Sequence, residues 1–403
     1  MAEEIVGKTE AGDGAGDVWA EIDLSAIRHN VKQLRSILTP GTRLMIVVKA
    51  NAYGHGIVPV ARQALAAGAD YLGVARYPEA LCLRQAGIRA PILIFGYTPP
   101  EFTCELLAHN LIQTVYSYQT AGQMAGQAGH SDNPLPVHVK VDTGMGRLGV
   151  MAAAPGSENG SGEEGVNQAA LDEIAAIKNL PGLRVEGLYT HFATADHQDK
   201  RFARRQFARF QRLKSALADA GITFDLCHAA NSAAIIDMPE THMDMVRAGI
   251  SVYGLYPSDQ VSRTRMALKP AMTLKSRIIH LKTVGAGFPV SYGATAETKA
   301  PTTIATVSIG YADGYNRLLS SKGRMLVRGQ SAPVIGRVCM DQSMLDVGHI
   351  ANVEMGDEVV AFGPDDTGGL PVAEVADQLG TITYEVVTGV SDRVERRYPE
   401  RRR

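Results

Sequence analysis

The chain has 403 residues, a formal net charge of −2 and a hydrophobic content of 45%. That length exceeds one ordinary core and implies two domains, while the near-neutral balance excludes a polyanion binder, so no nucleic-acid partner is expected. No apolar run approaches the roughly 20 residues that span a bilayer, so no membrane role is expected either. Residues 1–16 are rich in Gly and Glu and read as a disordered extension. The start Met1-Ala2-Glu3-Glu4 lacks an apolar signal core, which predicts a protein that is not exported. Cys82, Cys104, Cys227 and Cys339 have neither paired nor metal-ligand spacing. They read as reduced, buried thiols of a cytoplasmic protein, and no metal site is expected.

Trp19 to Leu24 alternates like a strand, and Ser25 can cap the helix after it. From Leu44 onward, strands alternate with amphipathic segments, at 44–49, 71–75, 91–96, 112–117, 136–142, 184–191, 223–230 and 244–252. Ala203, Phe207, Phe210, Leu213 and Leu217 form an apolar stripe at helical spacing. Eight such repeats predict a closed (β/α)8 barrel of the TIM type, residues 17–265, whose first strand joins the second domain. Residues 151–167 read as a surface insertion in a β→α loop. After residue 265 the segments 273–284, 302–309, 323–328, 333–338 and 357–362 are short and β-rich, predicting a mostly-β C-terminal domain over 266–403. The arginines from Arg393 to Arg403 read as a solvated tail.

A barrel carries its reactive groups at strand C-termini, with a phosphate site commonly formed after strands 7 and 8. The unusual polar residues fall at those places. Lys49 ends the first strand in Val47-Val48-Lys49-Ala50-Asn51-Ala52-Tyr53-Gly54-His55-Gly56. At a strand mouth a desolvated amine has a depressed pKa and can form a Schiff base with an aldehyde; the alternative is a lysine snorkelling to water. Arg147 comes after the fifth strand, His191 ends the sixth, Asn231 and Ser232 come after the seventh, and Arg247, Gly249 and Ile250 belong to the eighth and its end.

The Lys49 segment resembles the pyridoxal-phosphate lysine motif of alanine racemases, and the resemblance runs over roughly residues 18–390. It implies a pyridoxal 5'-phosphate (PLP) enzyme that interconverts L- and D-alanine and supplies D-alanine for peptidoglycan. By motif match Lys49 resembles the lysine that carries the cofactor and serves as one base. Tyr53, Ser232, Gly249 and Ile250 resemble the phosphate cradle, with Asn231 beside it, and Arg247 resembles the arginine facing the pyridine nitrogen. Arg147 matches the residue that contacts cofactor and substrate carboxylate, and Lys140 matches a position that some members carbamylate. Tyr311, in Gly310-Tyr311-Ala312-Asp313-Gly314, matches the catalytic tyrosine, polarised through His191 and Arg247. Met340 and Asp341, in Arg337-Val338-Cys339-Met340-Asp341, match substrate-side residues, with Arg337 near the substrate's path. The resemblance further implies a homodimer with shared sites, Tyr311 reaching the other subunit's lysine.

One departure stands out. Where the family usually reads Ser-Tyr-Arg-Val, this chain has Ser391-Asp392-Arg393-Val394. The missing ring makes Asp392 a specificity position and leaves room for a broader alanine and serine racemase. Two other classes share the barrel: PLP-dependent decarboxylases with a β-domain, and single-domain PLP carriers. The Gly-Tyr-Ala-Asp-Gly segment argues against the first, and the β-domain against the second.

Overall fold

The computed structural model describes residues 16–129, 133–153, 166–364 and 368–399. The centre of the 151–167 insertion, the N-terminal extension before residue 16 and the last four residues lie outside these. The contacts divide the chain into two units. One holds the stretch Asp23–Ala271 with Ile382–Thr388; the other holds the N-terminal strand, Met272–Thr381 and Gly389–Pro399.

The first unit is the closed eight-stranded parallel barrel. Its strands are Arg43–Val47, Tyr71–Val74, Ile92–Ile94, Ile112–Val115, Leu135–Asp142, Leu183–Tyr189, Leu226–His228 and Met245–Ala248. Each pairs with the next, and the ring closes where Met245–Ala248 meets Arg43–Val47. The strands stop earlier than the sequence suggests. The first ends at Val47 and the sixth at Tyr189, so Lys49 and His191 stand two residues beyond the sheet. The eighth ends at Ala248 and gives way to a 3-10 turn, Ile250–Tyr253. A barrel strand needs only enough residues to pair and fill a layer, and the residues beyond its end are free to turn into the site. Met45, Tyr71, Leu93, Ile112, Leu226 and Met245 fill the interior, with Phe95 packed against them.

Two helices show what periodicity missed. The helix Leu24–Ser36 is capped by Asp23, not Ser25: the Asp23 carboxylate accepts from Ser25 N and Ala26 N. In Arg201–Asp219 the stripe does face inward, yet Gln206 and Arg209 are buried beside it. Cys82 and Cys104 are exposed, contrary to their reading as fillers, and Cys227 is buried. No helix among the described residues is long and apolar enough to cross a membrane.

The second unit is built on the 13-residue strand Met272–Val284. Its first half lies between Val18–Ile22 and Glu358–Phe362, and its second half pairs with Thr302–Val307. Its ladders carry register shifts at Leu274/Lys275 and at Ile278/His280, the second where Thr302–Val307 takes over as partner. Lys275 bridges Glu21 (2.9 Å) and Glu358 (2.8 Å) across three strands. The expected strand at 333–338 is replaced by Gln330–Pro333 and Ser343–Asp346, and a helix, Val372–Leu379, joins the β-strands. The described part of the arginine-rich end, residues 393–399, is not a free tail. Glu395–Arg397 pairs in parallel with Val18–Ile22, Arg396 donates to the carbonyls of Val390, Ser391 and Val394, and Arg397 stacks on Trp19.

Candidate active site

Strand Leu135–Asp142 strictly alternates, with Val137, Val139 and Val141 on one face and His138, Lys140 and Asp142 on the other. A polar face inside a barrel is costly unless it serves a site. Here it opens into a cavity of about 640 Å3 at the C-terminal ends of the strands. Ten of the residues singled out from sequence line this one cavity: Lys49, Tyr53, Lys140, Arg147, His191, Asn231, Ser232, Arg247, Gly249 and Ile250.

Lys49 opens a short turn, Lys49–Tyr53, of the wrong hand. Ala50, Asn51, Ala52 and Tyr53 all have φ between 51° and 54°. Left-handed backbone costs L-residues roughly 1–2 kcal/mol each, so four in succession store several kcal/mol. Burial, and next the Arg147 charge, hold the Lys49 amine below its ordinary pKa, while Glu79 pulls the other way. Lys140 is pushed down to about 8, chiefly by burial and then by Arg147 and Arg247. Arg147 itself sits on a loop wound around one carboxylate: Asp142 accepts from the N–H groups of Gly144, Met145, Gly146 and Arg147 at 2.8 to 3.2 Å.

A cradle lies beside Lys49's turn. Ser232 Oγ accepts from Gly249 N at 2.8 Å and from Ser251 Oγ at 3.0 Å. A Cβ at Gly249 would come 2.8 Å from the Tyr53 hydroxyl, so a side chain there would have to displace that hydroxyl. Asn231 caps the helix carrying Ser232 through Ala234 N. The Tyr53 ring packs on Tyr253 with centroids 4.8 Å apart.

Behind the cavity runs a chain of rings whose proton positions are forced. Arg247 Nη1 lies 2.8 Å from His228 Nδ1, and His228 Nε2 lies 2.9 Å from His138 Nδ1. A guanidinium only donates. His228 therefore accepts at Nδ1 and donates from Nε2, and His138 carries its proton on Nε2, which has no partner among the described residues. Both imidazoles are neutral: burial, then Arg247, holds His138 down at about 3 and His228 well below its usual value. The other Arg247 nitrogen donates to the carbonyls of Thr190 (2.7 Å) and Ala229 (3.0 Å) and lies 3.3 Å from His191 Nδ1. Tyr189 stacks on His228 at 4.6 Å.

Several supporting residues escaped the sequence reading. Gln206 grips the His191 loop from both sides, donating to His191 O and accepting from Ala193 N. Arg209 donates to Thr143 O. Their signal was present, since both interrupt an apolar stripe with polar residues in its buried phase. Tyr384 also lines the cavity, its ring 6.1 Å from that of Tyr53. The expected gap in the wall rested on a missing aromatic at Asp392, and Tyr384 supplies an aromatic wall. Asp392 belongs to the β unit, where its carboxylate acts on Arg396.

The β unit gathers the remaining candidates in its own way. Tyr311 N and Ala312 N donate to the carbonyls of Cys339 and Met340, both at 3.0 Å. Arg393 joins the same two segments, bonding Asp313 at 2.7 Å and Asp341 at 2.8 Å. Gly310 presses against the carbonyls of Cys339 and Met340, leaving no room for a Cβ. On the other side of this segment Ser291 Oγ donates to Arg337 O at 2.7 Å. Ser291 has φ 66°, and Tyr292 comes directly after it. Tyr292 is 70% exposed, Met340 53% and Tyr311 41%. The sequence reading passed over Tyr292; an aromatic next to Gly293 at a turn was its only signal.

Residues 22–257 match the family model of the alanine racemase N-terminal domain, and 271–398 that of the C-terminal domain. An alanine racemase of Desulfosudis oleivorans is 53% identical over 380 residues, covering 94% of this chain and 96% of that one. One from Desulforamulus reducens is 53% identical over 381 residues, covering 94% and 98%. The solved structure of alanine racemase from Clostridium difficile aligns with a TM-score of 0.89 at 40% identity, covering 96% of this chain and 97% of that one. That from Bacillus anthracis, solved with bound L-Ala-P, gives 0.88 at 36% identity and covers 97% of each. The chain belongs to the alanine racemase family.

Proposed function

We propose that the protein interconverts L- and D-alanine with PLP, and that proton transfer takes place on two faces of the substrate. The observation that carries this reading is a single cavity that joins a desolvated lysine, a hydroxyl and N–H cradle, and a surplus of cations. The cradle at Gly249, tight enough that a Cβ would meet Tyr53, suits a phosphate. Lys49, Lys140, Arg147 and Arg247 line the same cavity, which suits an anionic cofactor and a substrate carboxylate. Tyr53, Ser232, Gly249 and Ile250 would hold the phosphate, with Asn231 fixing Ser232's helix, and Lys49 Nζ would hold the aldehyde carbon. When bound, the cofactor's conjugated ring stabilises negative charge left at the substrate's α-carbon.

Arg247, a permanent donor pinned by His228 and two carbonyls, would face the ring nitrogen and leave it unprotonated. Arg147 would take the substrate carboxylate in its fork. Lys49, with its pKa lowered, accepts and returns a proton at Nζ. His191 is held neutral, well below its usual pKa, by burial and the neighbouring cations. Burial raises the phenols of Tyr53 and Tyr384 and lifts Tyr189 to about 12. These cavity groups are therefore poor partners for a second proton transfer near neutrality.

That role falls to a tyrosine of the β unit, contributed by the partner subunit of a homodimer. Tyr311 is the candidate expected from sequence. Tyr292 is the stronger one on physical grounds, because it is more exposed and adjoins the left-handed Ser291 beside Arg337. Met340 and Asp341 would meet the substrate from the same face. The reading for Lys140 is carbamylation: its neutral amine adds to CO2, forming an N–C bond and releasing a proton, and the resulting anion steadies Arg147. D-alanine for peptidoglycan in the cytoplasm completes the reading.

The test is incubation of the PLP-loaded protein with L-alanine, then chiral chromatography. An equimolar mixture of enantiomers supports it; ethylamine in place of D-alanine would mean decarboxylation and overturn it.

A further inference from the structure

Three backbone N–H groups from two different barrel loops converge on one carboxylate that no part of the proposed mechanism uses. Glu79 accepts from Ala50 N at 2.6 Å through Oε1, and from Ala75 N (2.7 Å) and Arg76 N (3.0 Å) through Oε2. The Oε2 pair is an ordinary cap on the helix Tyr77–Gln85. The Oε1 contact is of another kind, because Ala50 is next to Lys49 and begins the left-handed run. The rest of that turn is bonded from within: Ala52 N to Val48 O, Gly54 N to Ala50 O, and Ile57 N to the Asn51 side chain. Ala50 N–H instead bonds outside the turn, to Glu79. The same carboxylate is the negative charge that raises Lys49's proton affinity against Arg147.

We propose that Glu79 is a positioning residue. It pins the strained turn across the mouths of the first two barrel strands, so that Lys49 and Tyr53, at the two ends of one rigid turn, both enter the cavity. Without it, Ala50 is released, the left-handed residues relax toward ordinary backbone, and the amine and the hydroxyl lose their common frame. Its charge has a second effect: it holds Lys49 closer to its ordinary proton affinity than burial and Arg147 alone would. The inference rests on the assignment of Lys49 and Tyr53 to the cofactor.

Glu79→Gln tests both effects, since an amide presents one acceptor where three N–H groups converge. Three readouts are needed on the full chain: hydrogen exchange of the peptide 48–56, PLP affinity by absorbance titration, and the pH profile of kcat, which reports groups in the substrate complex. The expected result is exchange faster by about tenfold in that peptide, and PLP affinity weaker by about tenfold. The acid limb of the profile should move to lower pH, because a charge favouring protonated Lys49 has gone. Adding Ala50→Gly to Glu79→Gln should restore part of the PLP affinity, since glycine adopts positive φ without strain. Unchanged exchange and PLP affinity in a folded Glu79→Gln protein would overturn the proposal. So would faster exchange confined to the helix Tyr77–Gln85 with an unmoved pH limb, which is loss of a helix cap alone. If exchange and PLP affinity respond as expected while even the unaltered protein makes no D-alanine, the racemase reading fails and the clamp stands.

Discussion

In the barrel unit, Lys49, Lys140, His191 and Arg247 are crowded into one cavity, and burial heads the causes of every shift in their proton affinities. In the β unit, Tyr292 and Tyr311 stand in the open, and what holds their segments is bonding to backbone carbonyls: Ser291 Oγ to Arg337 O, and Tyr311 N to Cys339 O. The contrast separates two ways of preparing a reactive group. A cavity tunes chemistry by desolvation and like charge, and is finished when the unit folds. A surface tyrosine is only aimed, and its reactivity depends on what comes to cover it. The barrel should thus tolerate change badly at its polar residues, and the β unit should show its importance only in turnover.

The strongest test of this contrast is Lys49→Ala, expected to lower racemisation by about 10⁴-fold or more. Borohydride trapping should then lose its label from the peptide containing residue 49, and label elsewhere would remove Lys49 from its role. Next come Tyr292→Phe and Tyr311→Phe. The variant at the true second base should lose roughly 10²- to 10⁴-fold in kcat/KM, equally in both directions because enantiomers are isoenergetic. In D2O it should still exchange the α-proton of one enantiomer through Lys49 and lose exchange for the other. Chains carrying Lys49→Ala mixed with that variant should regain one intact site per dimer; no recovery after verified subunit exchange would argue against sharing.

Gly249→Ala should act on binding alone, since its Cβ meets the Tyr53 hydroxyl at 2.8 Å. PLP affinity should fall by about 10- to 100-fold, a cost of roughly 1.4–3 kcal/mol, with little change in Tm. The smallest effect is a pH dependence of stability. Lys140 has a folded pKa of about 8 against an ordinary 10.5. The unfolded chain therefore binds more protons between these values, and stability rises with pH across that window. In CO2-free buffer without PLP, Lys140→Met should flatten that part of the rise in urea midpoints, and an unchanged slope would mean the amine is solvated.

The barrel was legible because strand and helix periods differ and repeat eight times. The site was legible where a residue was out of character, such as a lysine closing an apolar strand or an arginine inside one. The features that stayed hidden were held by relations the sequence does not display. Glu79 reads as a helix-cap glutamate, and only the fold brings it to Ala50. Gln206 and Arg209 did leave a trace, as polar residues in the buried phase of an apolar stripe, but only burial separates them from the solvated polar residues of the same helix. Tyr384 carries no local signal in the sequence, and only the fold brings its ring to 6.1 Å from that of Tyr53. The helix Val372–Leu379 went unread inside a region whose texture is β-rich.

The strand Val18–Ile22 has partners at Met272–Ser276 and at Glu395–Arg397, so both edges of its ladder are supplied by residues far later in the chain. A ribosome adding about 5–20 residues per second takes on the order of 10–50 s to cover the stretch between Ile22 and Met272. During that interval the barrel segment can emerge whole while the earliest strand waits without a neighbour. That ladder closes only when Glu395–Arg397 has left the ribosome. Premature termination a few codons before Glu395 would therefore yield a chain with its barrel residues present and Val18–Ile22 paired on one side only, the kind of exposed edge that invites wrong pairing.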